Sequence, residues 1–120
     1  MSEKRIILEM GTGNDLYGQD YTKAARRAVQ DALHHSSITL FSRLGVDHKE
    51  MRVVVTIGVQ QPEAVDCDLV AQDLPRGRAE VQAVLGGLDV EDSDAGTRHV
   101  IATAAVEAYL PDMSGKFRLA

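Results

Sequence analysis

The sequence predicts an α+β fold, a two-layer sandwich in which helices cover one face of a four-stranded mixed sheet. Three observations support this prediction. A β-branched run, Arg-Val-Val-Val-Thr-Ile-Gly-Val, ends at Val59 and is typical of a strand. An alanine-rich segment at Lys23–Leu33 carries its apolar residues at helical spacing. Two strand-like stretches follow a second, shorter helical segment, which gives the element order β-α-β-α-β-β.

The N-terminal part is predicted to form a strand, a turn and a helix. Arg5–Met10 contains three consecutive apolar residues, a pattern typical of a strand covered on both faces. The glycine-rich stretch 11–18 follows as a turn and leads into the helix at Lys23–Leu33. Because small apolar residues dominate one side of this helix, we expect it to lie close against the sheet. Ile38–Leu44 is either a short helix or a packed loop.

The middle of the chain is predicted to add a strand, a helix and a second strand. Met51–Val59 is the β-branched strand, and Val65–Leu74 has apolar residues at helical offsets. Pro75 ends that helix because proline cannot continue one. Polar and apolar residues alternate in Arg78–Leu85, which indicates a half-exposed strand.

The last predicted element is a strand that follows a turn. Gly86-Gly87 indicates a break or a bulge, and the acidic stretch Asp89–Thr97 is rich in turn-forming residues. His99–Leu110 is compatible with a helix because of its alanines, or with a strand because of its β-branched residues. We favour a strand, since the segment would form the second arm of a hairpin.

Composition limits the classes of protein and of partner. The chain has 120 residues, which suits a single domain, and its net charge of −5 argues against nucleic acid or an anionic membrane as partner. Cys67 is the single cysteine, so no intrachain disulfide forms, and no paired-histidine spacing indicates a metal or other cofactor. Without a signal-peptide pattern or a membrane-spanning apolar run, we expect a cytoplasmic protein.

A sheet with helices on one face needs a cover for its other face. Val53, Val55, Ile57, Val81 and Val84 all require burial in the predicted strands. A second subunit is the simplest cover, so we expect a homo-oligomer.

The glycine-rich stretch is the candidate site. In one interpretation it is a tight turn in which Asn14 and Asp15 satisfy backbone amides. In the other, Asp15 and Tyr17 face a pocket at the end of the strand. The stretch does not match a phosphate-binding loop, because it lacks both Gly-x-Gly-x-x-Gly and a Gly-Lys-Ser/Thr step. The residues expected to bind a substrate are Gly11, Gly13, Asn14, Gly18, Ser36, Gly86, Gly87 and His99.

A second group of candidate residues ends the first helix. His34 and His35 follow its last apolar residue, where the helix dipole favours a protonated imidazole. Ser36 beside them is either a nucleophile with a neighbouring base or, more simply, part of a helix-ending turn.

Gly11, Gly13, Asp15 and Gly18 resemble the Gly-x-Gly-x-Asp-x-His-Gly signature of the Lin-type family of conserved hypothetical bacterial proteins. The similarity extends to the Lys23–Leu33 helix, the Gly86-Gly87-Leu88 step and the Ala102–Val106 stretch. The family has no assigned activity, so the resemblance implies a fold and a site location. Where the family motif has histidine this chain has Tyr17, and a tyrosine with a pKa of about 10 stays a neutral hydrogen-bond donor.

The element order also resembles the small trimeric sandwich folds of the reactive-intermediate deaminase and chorismate mutase-like type, and ring-opening amidohydrolases of the cyanuric acid type share a related plan. This resemblance implies a trimer or larger homo-oligomer whose intersubunit pocket hydrolyses or deaminates a small cyclic amide or imine. The expected catalytic residues are Asp15, Tyr17, His34 and His35, with His99 as a further candidate. The alternative is a non-catalytic ligand-binding or assembly protein, which would bury the glycine stretch against backbone.

Overall fold

The computed structural model describes residues 3–15, 20–34, 52–74, 78–92, 94 and 96–111. These ranges form five strands and two helices around a short 3-10 turn at Pro62–Ala64. Ile38–Leu44, which the sequence leaves as helix or loop, lies outside the described residues. The elements are β1 (Glu3–Asp15), α1 (Tyr21–His34), β2 (Arg52–Val59), α2 (Cys67–Ala71), β3 (Arg78–Leu85), β4 (Leu88–Asp92) and β5 (Thr97–Pro111).

Strand β5 is the centre of a mixed sheet with the order β1-β5-β2-β3. It pairs antiparallel with β1 along one edge and with β2 along the other, while β3 lies parallel to β2. Thr103 of β5 lies opposite Thr12 of β1 on one side and opposite Gly58 of β2 on the other. Residues distant in the sequence therefore meet at the middle of the sheet.

The chain crosses from one strand position to the next at Gly86-Gly87. Strand β2 ends at Val59, and β4 occupies the space beside β5 beyond that end. The Gly86 amide donates to the Val59 carbonyl at 2.9 Å, which anchors the crossing. Gly87 has a φ of +62°, and a Cβ on it would lie 2.7 Å from the Gly58 carbonyl oxygen. Glycine is required here for both reasons.

The predicted α+β class, with a mixed sheet and two helices, is confirmed, but the predicted four strands and the order β-α-β-α-β-β are wrong. A fifth strand, β4, occupies part of the predicted acidic turn at Asp89–Thr97. Its antiparallel pairing with β5 outweighs the low strand preference of its acidic residues. The preference for a strand at His99–Leu110 is confirmed by β5.

Strand β1 is longer than predicted, because it continues through the first part of the expected glycine turn to Asp15. Helix α1 lies directly over this extension. A Cβ on Gly11 would lie 2.5 Å from the Ala28 carbonyl oxygen, and a Cβ on Gly13 would lie 2.5 Å from the Ala24 carbonyl oxygen. The glycines thus allow helix backbone to touch strand backbone, which is the physical reason that the turn prediction is wrong for 11–15.

The core lies between this helix and the sheet and is built mainly from alanine and valine. Its largest fully buried side chains are Ile57, Val29, Val53, Val55, Val59, Val70, Val100 and Val106. No helix in the described ranges is long and apolar enough to cross a membrane.

The opposite face of the sheet, which we call the open face, carries exposed apolar side chains. Asp89 contacts Tyr21 of α1, so its neighbours in β4, Leu88 and Val90, point away from the helices. Met10 alternates in the same way with the helix-facing Gly11. The exposed apolar residues of this face are Leu8, Met10, Val84, Leu88 and Val90.

Candidate functional site

Asp15 joins the end of β1 to the start of α1. Only 5% of the residue is exposed, and its Oδ2 accepts a hydrogen bond from the Asp20 amide at 2.9 Å. Its Oδ1 lies 3.6 Å from the Arg27 guanidinium, which also donates to the Asn14 carbonyl at 2.6 Å. The carboxylate thus satisfies a backbone amide, as the first interpretation expects, although Asp15 ends a strand and does not lie in a tight turn. The catalytic role of Asp15 stays a prediction.

A partly buried polar cluster attaches the start of α1 to the β4–β5 hairpin. The Tyr21 hydroxyl donates to Oδ2 of Asp89, and Arg98 lies 3.8 Å from the same oxygen and 3.5 Å from Glu91. Burial raises the pKa of Tyr21, and the hydrogen bond to Asp89 raises it further. Tyr21 is therefore neutral and acts as a donor. No local sequence pattern indicates this cluster, because its members come from three separate elements.

A concavity of about 480 Å³ opens at the centre of the open face. Three threonine hydroxyls from three strands belong to its lining, which is otherwise largely apolar. Thr56 accepts a hydrogen bond from the Gln82 side-chain amide at 3.0 Å. Thr12 and Thr103 are exposed, and their hydroxyls form no hydrogen bond with another described residue. The lining residues are Met10, Gly11, Thr12, Asp31, Thr56, Gly58, Val84, Leu85, Gly86, Thr103, Ala104 and Ala105.

The rim of the concavity is fixed by two side-chain contacts to backbone. The Asp31 carboxylate on α1 accepts a hydrogen bond from the Thr12 backbone amide at 2.9 Å, which satisfies a donor on the outer edge of β1. The Gln60 side-chain amide donates to the carbonyl of Gly86 at 3.0 Å and to that of Gly87 at 3.4 Å. The crossing into β4 is thereby held beside the concavity.

The structure brings some of the predicted binding residues to this concavity and places others elsewhere. Gly11 and Gly86 line it, whereas Gly13 packs under α1, Asn14 is exposed and Gly87 lies in the crossing. Tyr17, Gly18, His35 and Ser36 lie outside the described residues, so their roles stay predictions.

The described histidines do not converge on the concavity. His34 is exposed at the last residue of α1, and His99 lies half-buried on β5 opposite Val90. Neither lines the concavity. Within the described ranges, no group of three metal-ligating side chains could hold an ion.

Sequence reasoning missed Thr12, Thr56 and Thr103. Thr56 interrupts a run of valines and Thr103 stands between alanines, at positions that alternate with buried residues. A threonine at an exposed position of an otherwise apolar strand was therefore the sequence pattern that could have indicated these residues.

A charged group occupies the far end of the open face. Glu107 accepts from Arg5 at 3.2 Å and from the Tyr109 hydroxyl at 2.7 Å. Arg52 lies over the Tyr109 ring at 4.7 Å and pairs with Glu80 at 3.1 Å. The hydrogen bonds from Tyr109 and Arg5 lower the pKa of Glu107 below its ordinary value.

This lowered pKa predicts a pH dependence of stability. Because the folded state favours the charged carboxylate, the stabilisation is present above the ordinary pKa of 4.5 and is lost as the pH falls further. Below that pH, the free energy of unfolding of Glu107→Gln should fall less steeply with decreasing pH than that of the wild type. The difference between the two losses should be less than about 1 kcal/mol. Urea unfolding at neutral and acidic pH measures this difference. The same loss of unfolding free energy in the variant and the wild type would contradict the prediction.

The family model for conserved hypothetical proteins of the Lin0512 family matches residues 5–108. A crystal structure described as an FtsZ-like protein of unknown function from Nostoc punctiforme superposes with a TM-score of 0.80. The two chains are 34% identical, and the match covers 93% of this chain and 99% of that one. No curated protein matches the sequence. The resemblance seen in the sequence is thus confirmed, and the chain belongs to the Lin0512 family of conserved hypothetical proteins.

Proposed function

We propose that the protein binds a small cyclic molecule with amide or imine groups in the concavity of the open face. The observation that supports this most is the pairing of Thr12 with Thr103 across adjacent strands, with both side chains exposed. Directly opposed side chains on neighbouring strands have Cβ atoms about 5 Å apart. Two hydroxyls at this spacing can contact two polar groups of one ring.

The chemistry of the lining fits such a ligand. A threonine hydroxyl both donates and accepts, so it can pair with a ring carbonyl or with a ring N–H. Met10, Val84 and Ala105 supply apolar surface for the faces of the ring. The volume of about 480 Å³ is within the range of small-molecule sites, and mostly apolar walls with a few polar groups are usual in them.

Binding is better supported than turnover. Hydrolysis or deamination needs a nucleophile and a base beside the bound group. The reactive groups of the described lining are hydroxyls and one carboxylate, that of Asp31. This carboxylate already accepts a hydrogen bond from the Thr12 backbone amide. We therefore propose ligand binding as the function.

The test is a titration of the protein with a panel of five- and six-membered cyclic amides and imines. Thr103→Val keeps the shape of the side chain and removes its hydroxyl, so we expect the Kd of the best ligand to rise about tenfold. Thr97→Val is the matched control, because Thr97 lies on the same strand away from the concavity. Mass spectrometry of the same mixtures reports any product.

An unchanged Kd for Thr103→Val would contradict the proposed contact. Formation of a hydrolysed or deaminated product would show turnover and replace binding alone as the function.

A further inference from the structure

We infer that a second copy of this chain covers the open face and supplies the missing wall of the concavity. The association itself is argued from the surface alone, and the closing of the pocket rests on the proposed function.

The apolar strip of the open face is the first observation. Leu8, Met10, Val84, Leu88 and Val90 are each more than 40% exposed. They come from β1 on one side of β5 and from β3 and β4 on its other side, so exposed apolar side chains flank the concavity on both sides. Contiguous apolar patches of more than a few hundred Å² are uncommon on monomers and usually mark an interface.

The size of the face fits a copy of the chain. Four strands about 4.8 Å apart, paired over 12 residues between β1 and β5, give a face of about 700–800 Å². A standard stable interface buries about 800 Å² on each partner. One sheet face is therefore enough for one stable contact.

The charges of the face favour an identical partner. The protein carries a net charge of −5, so two copies that met through average surface would repel each other. On the open face, the positive and negative charges cancel within each of the ion pairs Arg5–Glu107 and Arg52–Glu80. This patch is close to neutral, and a second copy can approach it without like-charge repulsion. Nucleic acid or an anionic membrane would require an excess of positive charge here.

The strip and the concavity are continuous. Met10 and Val84 belong to both, so a copy seated on the strip also lies over the mouth of the concavity. The wall that the monomer lacks would then come from the partner. In this arrangement a ligand is enclosed between subunits.

Light scattering of the unliganded protein at about 10 µM tests the association without using any ligand. We expect a mass that is a whole multiple of 13.0 kDa and at least twice that value. Leu8→Glu and Leu88→Glu, which lie on the face but outside the concavity, should each shift the mass to that of a monomer while keeping the wild-type circular dichroism. Gln30→Glu, which adds the same charge on the exposed side of α1, should leave the oligomer intact.

A wild-type mass of 13.0 kDa would overturn the inference. An oligomer that survives both substitutions would also overturn it, because another surface would then hold the copies together. If one variant fails to fold, the other decides, since the two residues lie on different strands. Loss of ligand binding with an intact oligomer would instead count against the proposed function alone.

Discussion

Replacing Gly13 by alanine should lower the free energy of unfolding by about 3 kcal/mol. The added Cβ would lie 2.5 Å from the Ala24 carbonyl oxygen and 2.6 Å from the Arg27 carbonyl carbon, and it would also contact the Ala28 amide. All three neighbours are backbone atoms of α1, so no side chain can rotate away. The helix must lift from β1, and the packing of its alanines on the sheet is lost.

Gly96→Ala is the matched control for this change. Gly96 has a φ of +66° but no atom within 4 Å of an added Cβ, so the substitution strains only the backbone. We expect a loss of about 1 kcal/mol for it. Urea unfolding followed by circular dichroism measures both variants. Equal losses of unfolding free energy in the two variants would show that close packing of α1 on Gly13 does not contribute to stability.

Asp15→Ala should lower the free energy of unfolding by about 2 kcal/mol, because a buried charge-assisted hydrogen bond to the Asp20 amide is removed. The half-exposed Arg27 adds little to this value, since solvent screens it. Asp15→Asn keeps an acceptor for the Asp20 amide, and we expect it to lose about half as much. Asp68→Ala, at an exposed aspartate of α2, should change stability by less than about 0.5 kcal/mol.

The same variants separate the two interpretations of Asp15. A structural carboxylate changes the unfolding midpoint and leaves the Kd of the cyclic-amide ligand unchanged. If Asp15→Ala keeps its stability but loses ligand binding, the site lies at the end of β1. The concavity would then not be the binding site.

The sequence predicts the helices and most strands because their patterns are local. The spacing of apolar residues in α1 and the β-branched run in β2 need no tertiary contact to be interpreted. Strand β4 was missed because two of its acidic residues, Asp89 and Glu91, contact Tyr21 and Arg98, which only the folded chain brings near. Local propensity favoured a turn, and cross-strand contacts reversed it.

The candidate site could be predicted only in part for a related reason. Glycines such as Gly13 indicate close approach of backbone, but the sequence does not say whether a ligand or a helix approaches. The meeting of Thr12 with Thr103 depends on β5 lying between β1 and β2, which is a property of strand order. Gly86 lines the concavity, and its role in binding a substrate stays a prediction. The predicted roles of Tyr17, His35 and Ser36 are untested.

The claim that the open face is the functional surface can be tested most directly by NMR. Backbone amide shifts of the ¹⁵N-labelled protein are recorded while the best-binding cyclic amide is titrated. The largest changes are predicted at Thr12, Gly58 and Thr103, which meet in the concavity. Changes confined to Asp15, Tyr21 and Asp89, on the helix side of the sheet, would contradict the claim.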